Sequence, residues 1–423
     1  MHQSNMSSTT VTIVGAGLGG LTLARVLQTQ GVSTIIYEHD PSPSSRAQGG
    51  TLDIHVESGQ RALAVAGLLQ KFEALCSREQ DSMTIRDKDG SLAFNDAEFG
   101  PPTGEERDPE RDRPEIDRGI LRQLLLDSLE PGTIKWGYTL RNIARASSTE
   151  QGLYHLTFER APTSSSSPET EIITSTCVVG ADGAWSRVRN LLSSTIPSYT
   201  GVILLECELM DIDTNHPDIA SLIGAGSMYA ISNNKAIIAQ RNSGGRAKVY
   251  LALRVPRGWV KECGIPFETD VDGTRKGLLK CFEGWSEGLR EIIRVCEPRF
   301  IPRTIVALEP GFKWDSTDGI TLIGDAAHVM SPFAGEGANL AMLDATELGL
   351  ALSGRSMDKD GKVVDVQTDR QTAVKEFEKA MWERAEEAAR ESAINLDLFI
   401  SERAPLSAVE RMKEVMSGGP PLQ

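Results

Sequence analysis

Three short stretches of this chain of 423 residues carry residue types that do chemistry together. Gly15-x-Gly17-x-x-Gly20 follows the apolar run Val11–Val14 and precedes the helical spacing Leu21, Leu23, Ala24, Leu27. Glycines there let the backbone of Gly15, Gly17, Leu18 and Gly20 approach a pyrophosphate at the positive end of a helix. Glu38, at the end of the next apolar run, is placed to accept hydrogen bonds from an adenosine ribose. Glycines alone also serve tight packing, so it is the order strand, turn, helix, strand, acid that favours a dinucleotide. Gly324-Asp325-Ala-Ala-His328, followed by Pro332, Gly335, Gly337 and Ala338, is a second such element. A strand ending in Asp325 delivers a carboxylate to ribityl hydroxyls, and the helix after it points its amide dipole at the electron-rich pyrimidine of a flavin. NAD enzymes have no need of that piece, so FAD is the expected cofactor. The third stretch, Gly180-Ala-Asp182-Gly183 with Ser186, Arg187 and Arg189, joins an apolar strand to a basic helix start.

These residues need a scaffold, and the pattern predicts one. Val11–Val14, a helix ended by Gly31 and a strand over 33–38 make a βαβ unit. Helical spacing runs over 58–76, two strands joined at Asp89-Gly90 over 83–94, and helix over 116–129. The 98–114 loop, the Ser/Pro-rich tip at 161–169 and the Gly/Pro tail at 417–423 read as exposed. Alternating stretches at 154–158 and 172–179 are strands, and those at 202–209, 227–240 and 247–255 form a separate antiparallel sheet. An apolar helix over 337–352 and a long charged helix over 371–400 complete the chain. The expected fold is therefore α/β. A Rossmann-like FAD-binding domain is made from 1–80, 110–195 and 300–365, and an inserted antiparallel-sheet substrate domain from 81–109 and 196–299. Residues 370–400 form a bridging helix. Trp185, Phe282 and Trp285 are expected in the core, and His328 as a packed or backbone-bonded histidine rather than a base.

Composition excludes several alternatives. Lys plus Arg number 44 against 59 for Asp plus Glu, a net charge of −15, which works against nucleic acid and anionic lipid. No apolar run reaches the roughly 20 residues of a membrane span, and no secretory signal is visible, so a cytoplasmic protein is expected. A monomer is expected, although the sequence carries no signal of oligomeric state. Six cysteines without Cys-x-x-Cys spacing read as reduced thiols, and the six histidines show no metal-ligand spacing.

In order and spacing, the three chemical segments resemble the fingerprint, Asp-Gly motif and Gly-Asp motif of the class A flavin-dependent monooxygenases, typified by para-hydroxybenzoate hydroxylase. Arg46-Ala-Gln-Gly49-Gly50-Thr51-Leu-Asp53-Ile-His55, Ser58-Gly-Gln60 and Pro114-Glu115-Ile-Asp-Arg118-x-x-x-Arg122 are similar to the tetracycline-inactivating branch. That resemblance implies that Arg46 serves flavin reduction by NADPH, a transient reductant, and that Asp53, Arg118 and Asp325 bind FAD. Asp182 and Arg122 join them as cofactor candidates. It further implies that a flavin hydroperoxide hydroxylates an aromatic or polyketide-like small molecule with O2. Pro332 and Phe333 are expected to wall the substrate cavity. Glu206, Ser227 and Lys248 stand where the branch carries the glutamine, arginine and histidine that hold tetracycline, so the preferred ligand should differ. Glu206 and Lys248 also suit a cross-strand ion pair on a solvated face. The competing readings are an FAD-linked reductase or dehydrogenase of the same fold, and a ligand-binding flavoprotein with little turnover.

Overall fold

A computed structural model describes residues 10–45, 49–78, 82–99, 112–147, 152–160, 169–358 and 361–416. Arg46, most of the 98–114 loop, the 161–168 tip and the 417–423 tail lie outside the described residues. The nucleotide-binding part is built on a five-stranded parallel sheet, ordered Ile320–Leu322, Val178–Gly180, Val11–Val14, Thr34–Glu38 and Ile134–Trp136. Its central strands are apolar on both faces because helices and a second sheet cover them. Helix Leu18–Thr29 packs against Gly337–Leu352. Their backbones come close because glycine faces side chain: a Cβ on Gly349 would stand 2.7 Å from Val26 Cγ1, and one on Gly19 would stand 3.1 Å from Ala341 O. A three-stranded antiparallel sheet, Tyr138–Arg145, Tyr154–Arg160 and Glu169–Ser175, packs beside this core through stacked Tyr37 and Phe158.

The second unit is a seven-stranded sheet ordered Ile301–Ala307, Ser198–Leu209, Arg246–Arg254, Lys235–Asn242, Ser227–Ser232, Met83–Arg86 and Leu92–Asn95. One face carries Leu205, Cys207, Met228, Ile237, Val249 and Leu251 and is sealed by Pro217–Ile223, Val271–Cys281 and Glu287–Val295. The other face looks toward the nucleotide-binding part. Helix Arg370–Phe399, capped by Asp369 accepting from the Thr372 amide, has Phe377 and Met381 in the first core and Leu396 and Phe399 in the core on the second face of the sheet.

Four expectations change. The helix placed at 116–129 starts at Arg118, because Glu115–Asp117 is extended and pairs with Thr51–Asp53. The run 172–179 is two strands in different sheets, split after Ser175. Ile301–Ala307, assigned to the nucleotide part by a boundary at 300, is the edge of the seven-stranded sheet. Trp185 is 58% exposed and not in the core, whereas Phe282 and Trp285 are buried edge to face at 5.0 Å.

Candidate active site

The glycine turn is shaped by close backbone contacts. Gly15 has φ +106, and a Cβ there would lie 2.3 Å from the Ala181 carbonyl oxygen; one on Gly20 would lie 2.1 Å from Gly15 O. At Gly17 nothing stands within 4 Å, so the turn keeps open space beside the first amides of the helix that starts at Leu18. Glu38, 3% exposed, accepts from the Ala16 amide at 2.5 Å and from the Asp40 amide at 2.8 Å. It stands at the lip of the turn, with lone pairs left for ribose hydroxyls.

The Gly-Asp element is braced from below. Asp344, buried in Gly337–Leu352, accepts from the Gly324 amide at 3.1 Å and contacts His328 Nε2 at 2.6 Å. His328 is therefore packed as expected, but against a carboxylate. Burial disfavours its charge, yet Asp344 holds its pKa above the ordinary value. Asp325 itself is exposed between buried Gly324 and Ala326, a carboxylate presented at the carboxyl edge of the sheet. Asp182 works inside its own turn, accepting from the Arg187 amide at 2.8 Å, and burial pushes its pKa up.

Arg189, which the sequence offers only as part of a basic helix start, is 1% exposed and ties the two motifs together. Its guanidinium donates to Ala184 O at 2.6 Å and Ala326 O at 2.9 Å. Burial lowers its pKa. Replacing it with Met should leave those carbonyls unsatisfied and destabilise the fold by about 3 kcal/mol. Thermal denaturation measures this, and an unchanged melting temperature would remove Arg189 from that role.

The loop from Gly49 to His55 closes the site. The Arg118 amide donates to Gly50 O at 3.1 Å, and a Cβ on Gly49 would meet Arg118 Cδ at 3.5 Å, so this loop and Arg118 are neighbours. Asp117 accepts from Asn242 Nδ2 and Arg246, fastening the start of that helix to the seven-stranded sheet. Arg122 is 5% exposed, donates to Pro43 O at 2.9 Å and lies over the Trp136 ring. The structure gives it the role of a brace for the loop leading to Arg46, where the sequence suggested a place beside Arg118.

A cluster invisible in the sequence joins this loop to the second helix. His55 is fully buried, with Nε2 2.9 Å from Asp53 Oδ2 and Nδ1 3.4 Å from Glu336 Oε1. Asn339, also fully buried, accepts from the His55 amide at 3.0 Å and donates to Asp53 O at 2.9 Å. Burial works against the imidazolium, but the two carboxylates outweigh it and raise its pKa to about 9, while Asp53 is held low. A Cβ on Gly335, at φ +72, would stand 3.5 Å from Asp53 Oδ2, and Gly337 opens the helix with no atom within 4 Å of a Cβ. Ala338 follows, half-buried on the first core.

Opposite this loop, register aligns the substrate candidates on one face. Ser227 lies directly across from Gln240, and Gln240 from Lys248; one row along come Tyr229, Ile238, Tyr250 and Glu206. Lys248 Nζ and Glu206 Oε1 are 2.7 Å apart and both residues are buried, so the ion pair exists but not on a solvated face. Glu206 also meets Arg303 at 3.0 Å. Burial opposes the charge on Glu206, yet the two cations keep its carboxyl below the ordinary range. Burial pushes the phenols of Tyr229 and Tyr250 to about 12. A Cβ on Gly50 would stand 2.6 Å from Gln240 Oε1, 3.2 Å from the Tyr250 hydroxyl and 3.5 Å from Lys248 Cβ, so the loop and this face touch. Phe333 borders the same core, 6.1 Å from Phe399, and Pro332 is exposed beside it.

Residues 8–258 and 313–362 match the FAD binding domain family. The chain belongs to that family of class A FAD-dependent monooxygenases. It is 30% identical to monooxygenase asqM of Emericella nidulans over 93% of this chain and 96% of that one, and 28% identical to monooxygenase penA of Penicillium thymicola over 93% and 95%. Its fold superposes on Klebsiella pneumoniae HpxO complexed with FAD and uric acid with a TM-score of 0.73, at 19% identity over 98% of this chain and 95% of that one. Tetracycline destructase Tet(51) gives 0.67, at 17% identity over 97% and 96%. The open space at Gly17, the exposed Asp325 and the glycine-opened helix at Gly337 fit the pyrophosphate, ribityl chain and ring of FAD. Among the described residues no helix is long and apolar enough to cross a membrane.

Proposed function

We propose that this monooxygenase consumes NADPH and hydroxylates an aromatic or polyketide-like molecule held between the flavin and the sheet face of Ser227, Gln240, Lys248, Tyr250 and Glu206. What carries the reading is the contact of the Gly49–His55 loop, which belongs to the flavin side, with Gln240, Tyr250 and Lys248 on the sheet. A ligand lying on that face is within reach of both. The uric acid of the HpxO complex and the name of the tetracycline destructase support a planar, ring-bearing ligand. Bound FAD supplies hydride acceptance from NADPH and delivery of one oxygen atom of O2. The glycine turn, Glu38, Asp53, Arg118 and Asp325 hold it, and Arg46 serves the visiting nicotinamide. Tyr229, Phe333 and Phe399 exclude water from the substrate side. Lys248, Glu206 and Arg303 form a charged triad with one excess positive charge, suited to a phenolate, enolate or carboxylate.

The holoenzyme should oxidise NADPH under air in step with formation of a product one oxygen atom heavier. The panel is tetracycline, anhydrotetracycline and simple phenols. Lys248→Met should raise KM at least tenfold with a smaller change in kcat, because the lost contact orients substrate. Turnover without oxygen, yielding a reduced or dehydrogenated product, would replace this reading with a reductase or dehydrogenase.

A further inference from the structure

Behind the substrate face, Cys207 and Cys296 stand with their sulfurs 3.1 Å apart, 89 residues distant in sequence, inside the core that seals the sheet. They are 3% and 0% exposed, and every cysteine is a free thiol. The backbones beside them are joined: the Glu297 amide donates to Glu208 O at 2.8 Å. That hydrogen bond puts the two chains at the separation a disulfide spans, and the sulfur distance shows both side chains aimed at each other. No other described residue gives this pair a function. Neither thiol reaches the face that carries Glu206, and among the described residues the pair belongs to no group of three or more His, Cys, Asp or Glu side chains that could hold a metal.

We infer that Cys207 and Cys296 are a modification site, a thiol pair that hydrogen peroxide converts to a disulfide. One thiol gives its proton to solvent and, as the thiolate, attacks the peroxide O–O bond, giving a sulfenic acid and a hydroxide that takes up that proton as one water. The second thiol attacks that sulfur, the S–S bond forms, and the hydroxyl leaves with the thiol proton as a second water. Two thiols lose two electrons and peroxide gains them. The crosslink joins the strand bearing Glu206 to the turn that leads from Glu287–Val295 into the edge strand bearing Arg303. It therefore staples the strand that supplies the carboxylate of the charged triad to the turn that precedes the strand supplying one of its cations. Burial pushes the Cys207 thiol well above its ordinary range, so the pair is slow to react at neutral pH and faster in mild alkali.

The test uses the full chain with Cys76→Ser, Cys263→Ser and Cys281→Ser, which leaves Cys177, Cys207 and Cys296. It is incubated with hydrogen peroxide at alkaline pH, alkylated in denaturant and digested with trypsin. The expected result is the peptide 190–235 joined to 295–299, two hydrogen atoms lighter than their sum, with the free-thiol titre falling from three to one and recovering in dithiothreitol. Cys207→Ala in the same background should abolish the joined peptide. Recovery of the two peptides separately, whether alkylated or carrying sulfonic acids, would overturn the assignment.

Discussion

Gly17→Ala should yield a folded, soluble protein that has lost most of its flavin, while Gly20→Ala should fail at folding itself. The two glycines sit three residues apart in one motif, and what a methyl group would meet separates them. At Gly20 it would stand 2.1 Å from a backbone oxygen, Gly15 O, and neither side has a flexible end to move. Gly15 is itself fixed, its amide bonded to Tyr37 O and its own Cβ position blocked by Ala181. Relief would require shifting the helix start away from the sheet, which costs several kcal/mol. At Gly17, φ is −76 and nothing lies within 4 Å, so Ala is compatible with the protein alone. The methyl would instead occupy the space into which the first helical amides point, keeping a pyrophosphate from close approach. FAD affinity should fall at least tenfold, equivalent to about 1.4 kcal/mol. The flavin-free melting temperature should move by no more than about 2 °C. Titration of apoprotein with FAD, read by quenching of flavin fluorescence, measures the first, and calorimetry the second. Gly17→Ala with normal flavin content would dismiss the open space at Gly17 as the pyrophosphate cradle.

That contrast also marks what the sequence carries and what it leaves out. The glycine turn, Glu38 and the Gly-Asp strand end are legible because each feature is local: a few residues fix a turn, a helix start or a sheet edge. The face that presents Ser227, Gln240 and Lys248 is partly legible, since alternation assigns the strands but only register sets residues side by side. The ion pair of Glu206 and Lys248 is readable as a pair; its burial is not, because that depends on the loop Gly49–His55, far earlier in the chain, which meets Lys248. Arg189, Asp344 and Asn339 escape sequence reading for the same reason. Asn339 bonds to His55 across 284 positions, and no spacing rule reports such a contact. Trp185 shows the reverse failure, an aromatic whose composition suggests a core and whose place in a polar turn leaves it exposed.

The largest of these hidden couplings has a pH signature. His55 is held between Asp53 and Glu336, with Glu57 3.8 Å from Nδ1, and no other carboxylate lies within 4.0 Å of the ring nitrogens among the described residues. Its pKa in the folded protein is raised from 6.5 to about 9. The unfolded chain binds that proton less tightly, so the stabilisation is complete below about pH 6.5 and is lost as pH climbs through about 9. A shift of that size corresponds to about 3 kcal/mol at most, and the partial exposure of Asp53 and Glu336 to solvent brings it lower. His55→Leu should therefore destabilise the protein most at pH 6, by about 2 kcal/mol, since two partly exposed carboxylates then lose their cation. At pH 9.5 the difference should shrink, because the wild-type imidazole has by then given up its charge. His55→Gln, which keeps a donor for Asp53, should fall between them and lose the pH slope. Melting temperatures of flavin-free protein between pH 6 and 9.5 separate these outcomes without reference to turnover. Parallel curves for wild type and His55→Gln would mean that the ring is neutral. In that case the loop that meets the substrate sheet would owe its position to hydrogen bonds rather than to charge: the neutral ring donating to Asp53, and Asn339 bonding the His55 amide and Asp53 O.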